Sequence, residues 1–377
     1  MTLVVGVLSL AVWVYLLLAR GAFWQLNERD DRREPKAPLV WPSVVAVVPA
    51  RNEADVIARS LGSLAAQDYG GPFQVILVDD NSEDGTAQAA GGHERVQILS
   101  GTPVPSGWTG KLWAMNQGAD RAATLIPPPD YILFTDADIA HAPDTLSALA
   151  ARAEAGGLAL TSLMAELTVR SWAERLLIPA FVFFFDMLYP FAWANDPGRG
   201  VAAAAGGCML VRREALAVAG GLEAIRSEII DDCALARLMK RQGPIWLGFT
   251  HRARSLRPYE SFAAIGAMVS RSAYAQLRFS PWLLAATVLG MAIVYLVPPA
   301  LALFGRGTAE VIGFSAWLMM AIAFAPICRF YRLSPLLGAA LPLIGAIYTV
   351  FTVQSAVESW RGRGGMWKGR PQAVGLT

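Results

Sequence analysis

Residues 2–19, 282–304, 311–328 and 333–357 contain no charged side chain. A helix rises about 1.5 Å per residue and the hydrocarbon core of a bilayer is about 30 Å thick, so each stretch, with tilt allowed, crosses or nearly crosses it. Core helices of soluble domains seldom run this far without a polar face. Four transmembrane helices are therefore expected, one at the amino-terminal end and three towards the carboxyl end. Composition agrees, since 54% of the 377 residues are hydrophobic and 16% are charged, against about 25% charged in an average soluble domain. So much apolar surface excludes intrinsic disorder. A net charge of +2 excludes a nucleic-acid binder driven by bulk charge. Cys208, Cys233 and Cys328 are too few and too scattered for a disulfide framework or a cysteine metal site.

Segment 2–19 reads as an uncleaved anchor, because its basic residues (Arg20, Arg29, Arg32, Arg33, Lys36) follow it and Trp24 stands where an interfacial aromatic would. Those basic residues place 20–281 on the cytoplasmic side. Three further crossings put the tail 358–377 outside, against the basic character of Arg361, Arg363, Lys368 and Arg370, so a proline-containing apolar segment that re-enters without crossing is the alternative. Segment 176–195 (LLIPAFVFFFDMLYPFAWAN) is interrupted by Asp186 and two prolines; its aromatics favour an interfacial or re-entrant helix over a buried core helix. The expected organisation is an anchor (1–24), a soluble-looking unit (41–281), membrane helices (282–357) and a basic tail (358–377).

Within 41–281, Ser43–Val48, Phe73–Val78, Val96–Leu99 and Tyr131–Thr135 read as buried strands, alternating with helical patterns such as 53–66 and 82–90. That alternation implies an α/β domain with a mainly parallel sheet. Ligands of open α/β sheets bind beyond the carboxyl ends of the strands. Pro49-Ala50-Arg51-Asn52-Glu53 follows the first strand, Asp79-Asp80-Asn81 the second, and Asp136-Ala137-Asp138 the strand at 131. Ser82–Thr86 reads mainly as a helix cap. Capping does not explain two acidic pairs at one sheet edge, which repel unless a cation or hydrogen-bond donors compensate. An Asp-x-Asp at a strand end can hold Mg²⁺ or Mn²⁺, and a cation there neutralises a departing diphosphate.

Lys111, in GWTGKLWAMNQG (107–118), opens a helical pattern after a turn-rich stretch and can reach a phosphate; a solvated surface lysine is the bland alternative. Gly206-Gly207 lets backbone approach a ligand, with a packing bend as the competing account. Asp231-Asp232 opens an amphipathic helix. Carboxylates there suit the helix dipole, and one of them can also act as a general base toward a hydroxyl.

In this order, Pro49–Glu53, Val78–Thr86, Gly110–Gly118, Asp136–Asp138, Gly206-Gly207 and Asp231-Asp232 with Leu235 and Arg237-Leu238 resemble the family 2 glycosyltransferases of the GT-A fold. GWTGKLWA (107–114), TDADIAHAPD (135–144), LLIPAFVFFF (176–185), AAAAGGCMLVRREAL (202–216) and SLRPYE (255–260) resemble the bacterial hopene-associated members. The resemblance implies a multi-pass protein of the bacterial cytoplasmic membrane, with a cytoplasmic GT-A domain that transfers a sugar, with inversion, from a nucleotide-diphosphate donor, usually a UDP-sugar. It implies that Glu53 and Asp79 or Asp80 contact the uridine, that Lys111 meets the nucleotide region, and that Asp138, with Asp136, holds the metal. Pro49, Gly206 and Gly207 fall in the donor-binding motifs. Asp232 takes the place of the expected base, beside Asp231 where the family pattern has Glu.

Polysaccharide-extending members carry Gln-x-x-Arg-Trp, where this chain has Met268-Val269-Ser270-Arg271-Ser272. Arg271 matches the arginine, while the glutamine and tryptophan are missing. Arg257 is a further candidate for anion contact. The expected function is single-sugar transfer to a hydroxyl of a membrane lipid such as a hopanoid. The alternatives are a synthase of polyprenyl-phosphate sugars, which needs no base, and a non-catalytic membrane scaffold that binds nucleotide sugars.

Overall fold

The computed structural model describes residues 2–362, Gly364 and the backbone of 366–367 and 370–371. Arg363 and Lys368 of the basic tail lie outside the described residues. Two compact units emerge among the described residues: an apolar helical unit from 2–27, 169–192 and 258–362, and a sheet unit from 28–168 and 193–257. Residues 258–281 thus sort with the apolar helices.

In the apolar unit, Pro281–Phe304, Thr308–Phe330 and Pro335–Trp360 are long and apolar enough to cross a membrane. Helix Thr2–Ala19 is equally free of charge but shorter. Its Trp13 indole donates to the carbonyl of Val294 at 2.9 Å and packs edge-on against Tyr295. The first long helix widens into a π turn at Ala292–Leu296, directly before Pro298 and Pro299. Prolines remove helix donors, and a local change of pitch accommodates the loss.

Segment 176–195 takes the form of a packed helix, Trp172–Leu188, followed by a short turn of helix, Phe191–Asn195. Leu177, Ile178, Ala180, Val182 and Phe183 are buried. Phe183 meets Phe324, and Phe184 meets Tyr348, with ring centroids 5.2 and 4.9 Å apart. Both ends are capped: Ser171 and Glu174 form a capping box, and the Arg20 guanidinium donates to the carbonyls of Met187 and Leu188. The aromatics that suggested a headgroup boundary are spent on helix packing.

The sheet unit is built on eight strands: β1 Val44–Ala50, β2 Phe73–Asp79, β3 Val96–Ser100, β4 Tyr131–Thr135, β5 Ile139–His141, β6 Leu160–Glu166, β7 Cys208–Arg212 and β8 Ile245–Ser255. Their order is β3-β2-β1-β4-β7-β6-β8-β5. Strands β1 to β4 are parallel, β6 runs parallel to β8, and β7 and β5 are antiparallel to their neighbours. Alternate residues face two cores. Val45, Val47, Ile76, Val78 and Phe134 point one way with Leu112, Met115 and Leu235. Val44, Ala46, Val48, Val75 and Leu77 point the other way with Ile57, Leu61 and Leu149. Strand β3 departs from the buried-strand expectation, because it lies at the sheet's edge and leaves Gln97 and Ile98 exposed. Helix Gly110–Ala123 lies hard on the sheet at Gly118, where a Cβ would stand 2.3 Å from a Val47 methyl.

Candidate active site

Parallel register brings the carboxyl ends of the first four strands to one edge. Ala50 pairs with Asp79, and Asp79 with Ser100; Val47 pairs with Phe134, so Asp136 and Asp138 follow at the same edge. Antiparallel β7 begins beside the end of β4, with Cys208 opposite Thr135, which places Gly206-Gly207 there as well. Antiparallel β8 ends beside β5, with Ser255 opposite Ile139. The Leu256 N–H donates to the Asp138 carbonyl at 2.7 Å, so Arg257 arrives next to the Asp-x-Asp turn.

The first two loops are laced together. Asn52 N–H donates to Ser82 Oγ at 3.0 Å, Glu53 N–H to Thr86 Oγ1 at 2.8 Å, and Ala54 N–H to Asp84 at 3.0 Å. Glu83 N–H returns a bond to Asn52 Oδ1 at 2.9 Å. Arg51 donates to the carbonyls of Asp80 and Asn81. Asp80 is fully buried, whereas Asp79 at the strand end is half-buried and accepts from Ser82 N–H. Pro49 lies buried within β1, in register with Val78.

Helix Asp231–Lys240 carries two carboxylates in its first turn, where the helix dipole favours negative charge. Its other end is held by Lys240, whose ammonium donates to the carbonyls of Trp193, Ala194, Asp196 and Val201. Asp232 accepts hydrogen bonds from Gly206 N–H (3.1 Å) and Cys233 N–H (2.6 Å). Lys111 bridges Asp136 at 2.9 Å and Asp231 at 3.0 Å. A Cβ on Gly206 would lie 3.3 Å from the Lys111 ammonium and 3.5 Å from Asp232 Oδ2, so only glycine leaves that corner open. Gly207 packs against Ile139 and Ala165, and its carbonyl accepts from Thr135 Oγ1.

Arg257 forms the second bridge, with Nε on Asp138 Oδ2 at 2.9 Å and Nη2 on Glu53. Five carboxylates (Glu53, Asp136, Asp138, Asp231, Asp232) thus share two cations. Burial and the neighbouring Asp231 charge push Asp232 up to about 6, even though Lys111 and the two N–H donors pull it down. Burial raises Asp136 also, with Asp138 and Asp231 adding to it against Lys111. For Lys111, burial lowers the ammonium, but Asp136 and Asp231 outweigh it and hold it above the ordinary lysine range. This excess of acid suits a divalent cation. Among the described residues no three His, Cys, Asp or Glu side chains converge into a closed metal cage. Two carboxylates on one turn still fit Mg²⁺ or Mn²⁺, which are commonly bound by one or two carboxylates together with substrate phosphates.

The profile of the family described as Glycosyl transferase family 2 matches residues 45–219, which contain both acidic strand ends, Lys111 and the paired glycines. Residues 45–219 match a family 2 glycosyltransferase domain. An N-acetylglucosaminyltransferase of Mesorhizobium japonicum is 30% identical over 231 residues, 57% of this chain and 52% of that protein. A 4,4'-diaponeurosporenoate glycosyltransferase of Staphylococcus aureus is 31% identical over 130 residues, 34% of this chain and 32% of the other. The chain spans about half the length of the first of these curated relatives. A mannosyltransferase from Pyrobaculum calidifontis, solved in complex with GDP-Man and Mn²⁺, superimposes with a TM-score of 0.59 at 18% identity, covering 96% of this chain and all of that one. This likeness gives the fold, which is GT-A.

Within the sheet unit, the structure gathers Glu53, Lys111, Asp136, Asp138, Gly206, Asp231, Asp232 and Arg257 into one cluster through the contacts above. Arg271 is not among them; it caps helix Phe262–Ser270 in the apolar unit. Lys111, expected to meet phosphate, ties the metal-candidate turn to the base-candidate helix. Sequence reasoning did not single out Arg51 and Lys240. Arg51 stands in the same strand-end motif as Glu53 and was legible by that rule, whereas Lys240 is recognisable only once the loop 193–201 is seen against it.

Proposed function

We propose that this chain transfers a single sugar, with inversion, from a nucleotide-diphosphate sugar to a hydroxyl of a membrane lipid at the cytoplasmic face of a bacterial membrane. One observation carries the reading: Asp232 is a carboxylate with its protonation point lifted to about 6, fixed by two backbone donors in the same cluster as the Asp-x-Asp turn. A base poised near the working pH is what hydroxyl activation needs. Asp231, paired to Lys111, serves to place that lysine. In the transfer, the acceptor oxygen bonds to the anomeric carbon, the bond from that carbon to the diphosphate oxygen breaks, and the hydroxyl proton passes to Asp232. Bound Mg²⁺ or Mn²⁺ would be held by Asp138 and Asp136 and would neutralise the departing nucleoside diphosphate. Glu53 and Asp79 or Asp80 would contact the nucleoside, a UDP being the expectation from sequence.

The lipid acceptor is supported by three helices long and apolar enough to span, carried by the same chain. A hopanoid alcohol is the specific candidate from the motif resemblance. Addition of one sugar is supported by the missing glutamine and tryptophan around Arg271. The test incubates the purified full chain with candidate UDP- and GDP-sugars and a membrane lipid extract, and resolves products by mass. A single lipid-linked mass shift is expected. A ladder of products, or polymer made without lipid, overturns the reading.

A further inference from the structure

Arg257 holds the two carboxylates from which the donor site is expected to be made. Its guanidinium binds Asp138, the candidate metal ligand, through Nε and Glu53, the candidate nucleoside contact, through Nη2. Both acids are largely enclosed, with 18% and 9% of their side chains exposed, while 30% of the arginine side chain is open to solvent. The backbone at the arginine is held in place: Leu256 N–H donates to the Asp138 carbonyl, Arg257 N–H to Ser255 Oγ, and Thr168 Oγ1 to the Arg257 carbonyl. The root of the side chain is therefore fixed beside the Asp-x-Asp turn, and the guanidinium reaches both acids from the partly open side of the cluster.

Arg257 and a divalent cation compete for Asp138, since each draws on the same carboxylate charge and the two cations repel one another across it. Lys111 imposes no such conflict there, because its carboxylates are Asp136 and Asp231. We propose that Arg257 is the resident counter-ion of the empty donor site, exchanged at Asp138 for the divalent cation when metal and donor bind, and so sets the order in which they bind. This rests on the reading that Asp138 is a metal ligand. In the resting protein, metal alone competes poorly with a guanidinium already in place. When the donor arrives with the cation, its diphosphate offers the displaced guanidinium a new anionic partner, which offsets the lost ion pair. The consequence is metal binding that depends on nucleotide, which keeps the acidic site neutralised and closed to free cations between turnovers.

The experiment titrates Mn²⁺ into the full chain in detergent and follows free Mn²⁺ by electron paramagnetic resonance, with and without UDP. The proteins are the wild type, Arg257→Gln, Arg257→Lys and Asp138→Asn, with Asp138→Asn also placed in the Arg257→Gln background. If the paired state occupies most of the resting protein, Arg257→Gln binds Mn²⁺ alone about tenfold more tightly than wild type, because an affinity is reduced by the fraction of protein competent to bind. Arg257→Lys, which keeps the charge but loses the two-pronged fork, falls between the two. An arginine that only repelled the metal through space would leave Arg257→Lys, which keeps the charge, at the wild-type affinity, so the intermediate value of that variant marks loss of the ion pair itself. Asp138→Asn abolishes Mn²⁺ binding in either background. If Arg257→Gln and Arg257→Lys bind Mn²⁺ no more tightly than wild type while Asp138→Asn still removes binding, the exchange is wrong and the metal assignment stands. If Mn²⁺ binding survives Asp138→Asn in the Arg257→Gln background, both fall. Should Arg257→Gln fail to melt cooperatively, Arg257→Lys decides the matter alone.

Discussion

Lys111 and Arg257 each bridge two carboxylates at the same strand edge, but they reach them from different surroundings. Lys111 projects from the first turn of a helix that Thr109 caps and that Gly118 seats against β1, and 14% of its side chain is exposed. Arg257 projects from the loop that leaves β8, with about twice that exposure. The lysine sits among three acids, Asp136, Asp231 and Asp232, on the side where a hydroxyl would be deprotonated. The arginine joins Glu53 to Asp138, on the side where a nucleotide would be held. A cation that must stay is built into a packed helix, and one that must leave is placed on a loop. Buried pairs lose strongly when one partner is removed, whereas open pairs lose little.

The largest effect that would test this division is on rate. Asp232→Asn keeps the shape and removes the base, so transfer should fall by about 10² to 10⁴. UDP affinity, which belongs to the Arg257 side, should stay within about twofold of wild type by calorimetry, since no nucleoside contact is altered. Collapse of UDP binding together with transfer would merge the two sides into one and remove the assignment of Asp232.

Next comes Lys111→Met, which leaves Asp136 and Asp231 facing Asp232 without their ammonium. The loss in folding stability should be about 3 kcal/mol, at the low end for a broken buried pair because Asp136 is partly open to water. By the same thermal or denaturant melt, Arg257→Gln should cost less than Lys111→Met, because the arginine itself is more open to water, yet more than the ~1 kcal/mol of a surface pair, because Glu53 and Asp138 are left enclosed. Adding Asp231→Asn to Lys111→Met should restore part of the loss, because it removes the charge left stranded. Equal losses for the lysine and arginine variants would erase the contrast.

Legibility in the sequence followed the same line. The parallel half of the sheet could be read directly, because β1, β2 and β4 are short apolar runs that end in or are soon followed by Asp, Asn or Glu, and parallel strands buried on both faces have that apolar composition. Strand β3 carries the same composition at an edge, and edge position is a property of topology that no local pattern reports. Strands β5 to β8 pair partly antiparallel across long separations, so the meeting of Asp138 with Arg257, 119 residues apart, follows only from the register of β5 with β8. Acidic motifs announced the cluster, but its two cations were visible only as isolated residues. In segment 172–188, aromatic content was read as a bilayer boundary when the rings face other helices.

A smaller effect concerns pH. Asp232 must be ionised to accept a proton, and its carboxyl titrates near 6, so transfer should rise about tenfold per unit up to that value and level off above it. The sign follows from the cause: burial and Asp231 favour the protonated form, and activity is lost as pH falls through the raised value. Lys111→Met, by removing a cation that favours the carboxylate, should move the rise to higher pH. Arg257→Gln, with no contact to Asp232, should leave the midpoint where it is. A midpoint that follows the arginine and ignores the lysine would reverse the roles assigned to the two bridges.

The smallest change is Gly206→Ala, which touches the Lys111 side alone. Its new methyl would stand 3.3 Å from the lysine ammonium, tighter than ordinary contact, and 3.5 Å from Asp232 Oδ2, an ordinary van der Waals distance. Flexible lysine gives way first, by a few tenths of an ångström, which lengthens one or both of its ion pairs while the N–H bond from residue 206 to Asp232 is kept. Transfer should fall by about three- to tenfold, since small misplacements of reacting groups cost rate out of proportion to stability. The melting temperature should move by no more than about 2 °C. Mn²⁺ affinity in the absence of UDP should change little, because the pair of Arg257 with Asp138 is left in place and only the Lys111 contact at Asp136 Oδ1 is disturbed. A Gly206→Ala protein that bound Mn²⁺ differently, with transfer intact, would show that the two bridges move as one unit, and the separation of a fixed acceptor side from an exchangeable donor side would have to be abandoned.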